Sequence, residues 1–116
     1  LEEAMTEFCQ ISTLMSGQRE ADTLARAVLD TGLAEHVQLD GVTSYVMTSD
    51  GVDVLPELRL TVRVRTAVAG DVVRLLRSGH EYEPEDVVID VVPILDSVDS
   101  EELRIELLER PERARG

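Results

Sequence analysis

The chain has 116 residues, with 24 acidic against 11 basic side chains and a formal net charge of −13. That length sets one domain, 1–116, able to bury about two-thirds of its unfolded surface. The charge repels phosphate backbones, and an aromatic content of 3% supplies no base-stacking platform, so nucleic acid is not an expected partner. One cysteine, Cys9, excludes an internal disulfide and a CxxC-type zinc site, and no run is long enough to span a membrane. The expectation is a soluble cytoplasmic protein with no membrane partner.

Residues 6–15 carry strand formers, among them Phe8, Ile11 and Thr13. Ser16 is placed to cap a helix over 17–31, where Ala21, Leu24, Ala25 and Val28 fall at i, i+3, i+4 and i+7. Gly32 stands where a left-handed helix stop is needed. Residues 33–49 and 52–68 predict two long strands around Asp50-Gly51, the strongest hairpin signal in the chain. In the second, Leu58, Leu60, Val62 and Val64 alternate with Arg59, Thr61, Arg63 and Arg65, which gives one buried face and one cationic or paired face. Asp40-Gly41 is a competing turn signal, read here as a bulge that bends one long strand.

Gly70-Asp71 opens a second helix, 71–78, with Val72, Leu75 and Leu76 inward. Residues 86–95 are apolar on both faces and predict a strand covered twice, by a helix and by another sheet or subunit. Pro93 then belongs near a strand end or a sheet edge. A last helix over 97–110, capped by Ser97 or Asp96, would dock through Leu103 and Leu107. The order βαββαβ plus a C-terminal helix is an α+β, ferredoxin-like split βαβ arrangement with its core over about 6–95. Many unrelated functions use that fold, so it does not argue an activity.

Several segments taken together resemble the CutA family of divalent-cation tolerance proteins. They are the alanine-bearing first helix, Leu33-Ala34-Glu35-His36-Val37-Gln38-Leu39, Gly41-Val42-Thr43-Ser44-Tyr45, the hairpin, Arg65-Thr66, and His80-Glu81-Tyr82-Glu83-Pro84-Glu85. The resemblance runs over about residues 6–95 in uninterrupted register. It implies a tight trimer in which the long hairpin closes sheet edges between subunits, and a link to copper and other divalent ions. The chain departs from the family pattern at four places. His36 stands for a cysteine, Glu81 for a proline, Val46-Met47-Thr48 where a tryptophan is common, and Thr13 near the family's first-strand cysteine.

The candidate metal ligands are His80, Glu81 and Glu83, with Glu85 nearby, and His36. Imidazole with carboxylates suits zinc or copper(II). If extended, 81, 83 and 85 point to one side; the competing reading is a solvated acidic loop that starts a strand. Tyr82 is a candidate for a ligand cleft between subunits or for simple packing. Arg63 and Arg65, with Arg59, offer a face for a small anionic ligand, or else pair with acids of a neighbouring strand. Cys9 reads as a small buried hydrophobe. No P-loop, GxSxG or HExxH motif is present, so the reading leans away from an enzyme. The expected function is a homotrimer that binds or responds to divalent cations of the copper or zinc class. The alternatives are a trimeric small-molecule sensor or interaction module without metal, and an enzyme with its site in a subunit cleft.

Overall fold

The computed structural model describes residues 7–94. Their elements are β1 (Phe8–Met15), α1 (Gln18–Asp30), β2 (Ala34–Thr48), β3 (Gly51–Arg65), α2 (Ala69–Ser78) and β4 (Ile89–Ile94), with single 3-10 turns at Thr66–Val68 and Pro84–Asp86. The expected helix over 97–110 lies outside the described residues. The strands form one sheet in the order β2-β3-β1-β4. β1 pairs antiparallel with both β3 and β4, and β2 antiparallel with β3. It follows that β1 and β2 run parallel with β3 between them, and β3 and β4 run parallel with β1 between them. Each helix therefore crosses over one intervening strand.

The period-two pattern decides which sheet face is covered. Cys9, Ile11, Thr13 and Met15 of β1 and Leu60, Val62 and Val64 of β3 are buried. They meet Ala21, Leu24 and Val28 of α1 and Val72 and Leu76 of α2 in a single core. Ile11, Met15, Leu60 and Leu76 are fully buried, each worth about 1.5–3 kcal/mol of transfer free energy. Arg59, Arg63 and Arg65, at odd-numbered positions of β3, face away from the helices and are exposed.

Several local expectations shift. Gly32 ends α1 as expected, at φ +76, with its N–H on Leu29 O. Ser16 does not cap α1. The N-cap is Gly17, and no side chain of its own caps the helix. The bulge is not at Asp40-Gly41, which pair in regular register with Arg59 and Leu58; the register slips between Ala34 and Val37 instead. Gly41 is accommodated as an ordinary strand residue because nothing presses on its Cα position. The slip absorbs the exit from the left-handed Gly32. The hairpin turns at Ser49-Asp50, with Gly51 at φ +118 and the Thr48 hydroxyl bonded to Gly51 O. β3 ends at Arg65 rather than 68, because the chain turns into the 3-10 helix Thr66–Val68 after a last bond from Thr66 N–H to Glu7 O. β4 begins at Ile89 rather than 86 because Asp86 and Val87 N–H close the 3-10 turn on Glu83 and Pro84 carbonyls. Pro93 does sit on the edge strand.

β2 and β3 each have 15 residues, but β1 pairs with β3 only from Leu58 to Arg65. Residues 42–57 therefore project as a two-stranded arm. Tyr45 (72% exposed), Met47 (75%), Val52 (57%) and Val54 (55%) lie on one face of it. Val46 and Leu55 are exposed on the other. β4 also leaves Val91 and Val92 exposed, so the second covering expected for it is not supplied by the described residues.

Candidate functional site

Two clusters form at opposite ends of β1, roughly 25 Å apart at about 3.3 Å per residue. The first gathers where β1 ends, α1 starts and the arm leaves the sheet. α2 stops at Gly79, and the next residues turn back over this end. Tyr82 N–H donates to His80 Nδ1 at 3.1 Å. Nδ1 is therefore the unprotonated nitrogen, and Nε2–H donates to Thr13 Oγ1 at 3.1 Å. The Thr13 hydroxyl in turn donates to Val88 O at 2.8 Å. Burial holds the His80 pKa below its ordinary value, against a bond to the Leu14 backbone and the charge of Glu81.

Glu81 reaches back to the start of α1. Its Oε2 accepts from Ser16 N–H, from Ser16 Oγ at 3.2 Å and from Gly17 N–H at 3.0 Å. A carboxylate brought across the fold thus holds Ser16 and the N-cap Gly17 at the positive end of the helix dipole. Burial opposes its ionisation, but the Gly17 and Ser16 hydrogen bonds and nearby His80 outweigh this, and its pKa lies below the usual range. Tyr82 packs on His80 with ring centroids 4.8 Å apart, and its hydroxyl donates to Glu57 Oε2 at 2.8 Å. The Glu57 carboxylate also accepts from Ser44 Oγ. Burial, together with the Glu57 hydrogen bond and charge, pushes the Tyr82 phenol up to about 12, so it acts as a fixed donor.

These bonds bear on the expected metal set. The unprotonated nitrogen of His80 and one oxygen of Glu81 are committed within the subunit. Glu83 and Glu85 are exposed beside a 3-10 turn, so 81, 83 and 85 do not alternate along an extended strand. His36 is at the other end of the sheet. Among the described residues no three His, Cys, Asp or Glu side chains gather into a set able to hold a metal ion. A preformed centre within one subunit does not fit these residues. Cys9 is buried, and burial raises its thiol pKa despite a bond from Thr66; this is the inert small hydrophobe that its position suggested.

The second cluster lies where β1 begins and β3 ends. A cavity of about 490 Å³ is lined by Phe8, Leu33, Glu35, His36, Arg63, Arg65 and Val68, among others. The slip between Ala34 and Val37 breaks strict alternation, so Glu35 and His36 both line it. The Arg63 and Arg65 guanidiniums sit 5.1 and 5.0 Å from the Phe8 ring centroid. Arg65 pairs with Glu7, and Arg59 pairs with Asp40 at 3.0 Å outside the cavity.

The sequence pointed to His80, Glu81, Tyr82, His36, Arg63 and Arg65, and the structure divides them into these two groups. It missed Ser44, Glu57 and the hydroxyl of Thr13 at the first, and Phe8 at the second. Each is recruited by strand register, which places Phe8 opposite Arg65 and Val42 opposite Glu57.

The family profile described as CutA1 divalent ion tolerance protein matches residues 9–97. The chain belongs to the CutA1 family. Solved CutA structures share its fold. CutA1 of the psychrotrophic bacterium Shewanella sp. SIB1 superposes with a TM-score of 0.72 at 20% identity, covering 88% of this chain and 94% of that one. The periplasmic divalent cation tolerance protein CutA of Archaeoglobus fulgidus gives 0.69 at 19% identity, covering 80% and 89%. CutA of Synechococcus elongatus gives 0.69 at 23% identity, covering 84% and 88%. No curated protein matches the sequence at a significant level. Over its described residues this CutA1-family chain has a mixed α/β fold, a four-stranded antiparallel sheet with two helices. No helix among its described residues is long and apolar enough to cross a membrane.

One prediction concerns Glu81. Glu81→Gln keeps the shape but removes the charge, and is expected to cost about 1 kcal/mol. Because its folded pKa is depressed, the stability Glu81 contributes is present above the ordinary glutamate value of 4.5 and is lost as pH falls through the lower folded value. Urea unfolding at fixed protein concentration should show a shallower acid limb in the variant. An acid limb identical to wild type would remove Glu81 from this role.

Proposed function

We propose that this CutA1-family chain assembles as a homotrimer of ferredoxin-like subunits and serves the response to divalent cations of the copper or zinc class. The projecting apolar arm carries the assembly half of the reading. Two strands alone are marginal in water, and here both faces of the pair expose apolar side chains, with Tyr45, Met47, Val52 and Val54 together on one. Such a surface needs a cover, and closure around a threefold axis covers three identical arms at once. The family description, divalent ion tolerance, supports the cation half.

Within that reading, cation contact falls to groups that the subunit leaves available. His36 and the carboxylates of Glu83 and Glu85 are exposed; they lie at opposite ends of one subunit's sheet, so a cation shared between them would have to be bound across subunits. His80 can ligate a metal only by giving up a bond that fastens the fold, and Glu81 has one carboxylate oxygen already committed to Ser16 and Gly17. Native mass spectrometry with and without copper(II) and zinc tests this. The expected result is a trimer that takes up metal in fixed ratio to its chains, with uptake lowered by His36→Ala. His80→Ala should lower stability and leave uptake intact. A trimer that stays metal-free sinks the cation reading, and uptake lost on His80→Ala instead relocates the ligand.

A further inference from the structure

We infer that the cavity between the start of β2 and the Phe8–Arg63–Arg65 stack binds a small organic oxyanion, a carboxylate or phosphate monoester carried on an apolar body. This does not rest on the divalent-cation reading. The cavity, about 490 Å³, is of the size that small ligands fill. Leu33 and Val68 give it apolar wall, and Phe8 gives it an aromatic plate. Two guanidiniums lie against that plate, at 5.0 and 5.1 Å from its centroid. Arg65 shares its fork with Glu7, whereas Arg63 keeps its N–H edge for a ligand, and a guanidinium takes a carboxylate or phosphate through two parallel hydrogen bonds.

Charge makes the arrangement notable. Acidic side chains outnumber arginines 24 to 11 in this chain. Arg59, Arg65, Arg26 and Arg74 each find a carboxylate. Arg63, beside Arg65 on the same strand face, makes no ion pair among the described residues. A cation held in a cavity without a carboxylate of its own is placed to take one from a ligand. His36 lines the cavity too and adds a donor. Glu35, also in the lining, opposes negative charge. The site therefore favours a ligand with few charges and an apolar body over a compact, highly charged anion.

Benzoate, phenyl phosphate, inorganic phosphate and neutral benzyl alcohol are the probes, followed by two-dimensional amide NMR of the full chain. Benzoate or phenyl phosphate should shift amides of residues 32–36 and 63–65 and saturate, and comparing the two shows which oxyanion is preferred. Inorganic phosphate and benzyl alcohol should bind far more weakly. Arg63→Gln should weaken the preferred probe roughly tenfold or more, the loss expected for a charge-assisted hydrogen bond, and Phe8→Leu should weaken it less. Arg59→Gln, which lies outside the cavity, should leave affinity unchanged. Guanidinium is no metal ligand, so Arg63→Gln leaves copper and zinc uptake and trimer formation as independent readouts, and native mass spectrometry of the variant verifies both. Absence of saturable shifts overturns the proposal. So does equal weakening by Arg59→Gln and Arg63→Gln, or binding of inorganic phosphate as tight as phenyl phosphate, since either marks general surface electrostatics.

Discussion

A chain carrying Met47→Asp together with Val54→Asp is expected to run as a folded monomer, and the unaltered chain as a trimer. The two side chains are 75% and 55% exposed in the subunit, so neither belongs to its core. They are diagonal neighbours on one face of the arm, where Tyr45 pairs with Val54 and Met47 with Val52. Facing water, a carboxylate costs little at such positions. Buried against another subunit without a partner, it costs several kcal/mol per ion even after relaxation, and threefold closure would bury it at three contacts. Sedimentation velocity reads the assembly, and far-UV circular dichroism reads the fold. A double variant that remains trimeric at the same concentration shows that the arm is not the contact, and an unaltered chain that sediments as a monomer dismisses the assembly altogether. Melting temperatures should be compared only at matched protein concentration, because assembly shifts them by mass action.

The parts of the fold legible in the sequence are those that depend on short-range periodicity. Leu58 to Val64 alternate with Arg59 to Arg65 strictly enough to fix the buried face of β3, and Gly32 and Pro93 fall where backbone chemistry requires. What the sequence hid depends on partners far along the chain. The register slip falls at Glu35-His36 rather than at the competing turn signal Asp40-Gly41, which pairs in regular register with Arg59 and Leu58. The run from His80 to Glu85 reads as a row of ligands while it is seen alone. In the fold, Glu81 is drawn 64 residues back to Gly17 and Tyr82 is drawn 25 back to Glu57, and no local pattern encodes either. The arginine face was half legible. Arg59 and Arg65 do find acids, as a crowded acidic chain suggests, but the aromatic plate beneath Arg63 and Arg65 comes from the pairing of β1 with β3.

Thr13 ties these long-range contacts to the core, and its replacement carries the largest expected loss of subunit stability among the cluster variants. It is 3% exposed, sits among the apolar residues of β1, and spends its hydroxyl twice, accepting from His80 Nε2 and donating to Val88 O. Thr13→Val keeps the shape and adds no cavity, so packing is nearly unchanged. It leaves Val88 O without its donor and His80 Nε2–H with only the Leu14 backbone, at about 1–3 kcal/mol for a buried group left unpaired. Because His80 is only half-buried and water can recover part of this, the expected net loss is about 2 kcal/mol. Thr13→Ser restores the hydroxyl and removes one methyl, and should cost about 1 kcal/mol. The pair of variants separates hydrogen bonding from packing, since a Thr13→Val no worse than Thr13→Ser would mean that the hydroxyl contributes nothing.

The same network sets a pH response. The His80 pKa is depressed in the fold, so as pH falls below the ordinary histidine value of 6.5 the unfolded chain takes up a proton that the folded chain refuses. Stability therefore drops from that point down to the folded pKa and is flat below it, until Glu81 begins to titrate. Protonating His80 would also put a proton on Nδ1, facing the Tyr82 N–H that now donates to it. Nitrogen-detected NMR of His80 should show the Nε2–H form near neutral pH. A dominant Nδ1–H form would break the bond from Tyr82 N–H and turn the Thr13 hydroxyl to donate to Nε2 in place of Val88 O, which overturns the roles assigned to that hydroxyl.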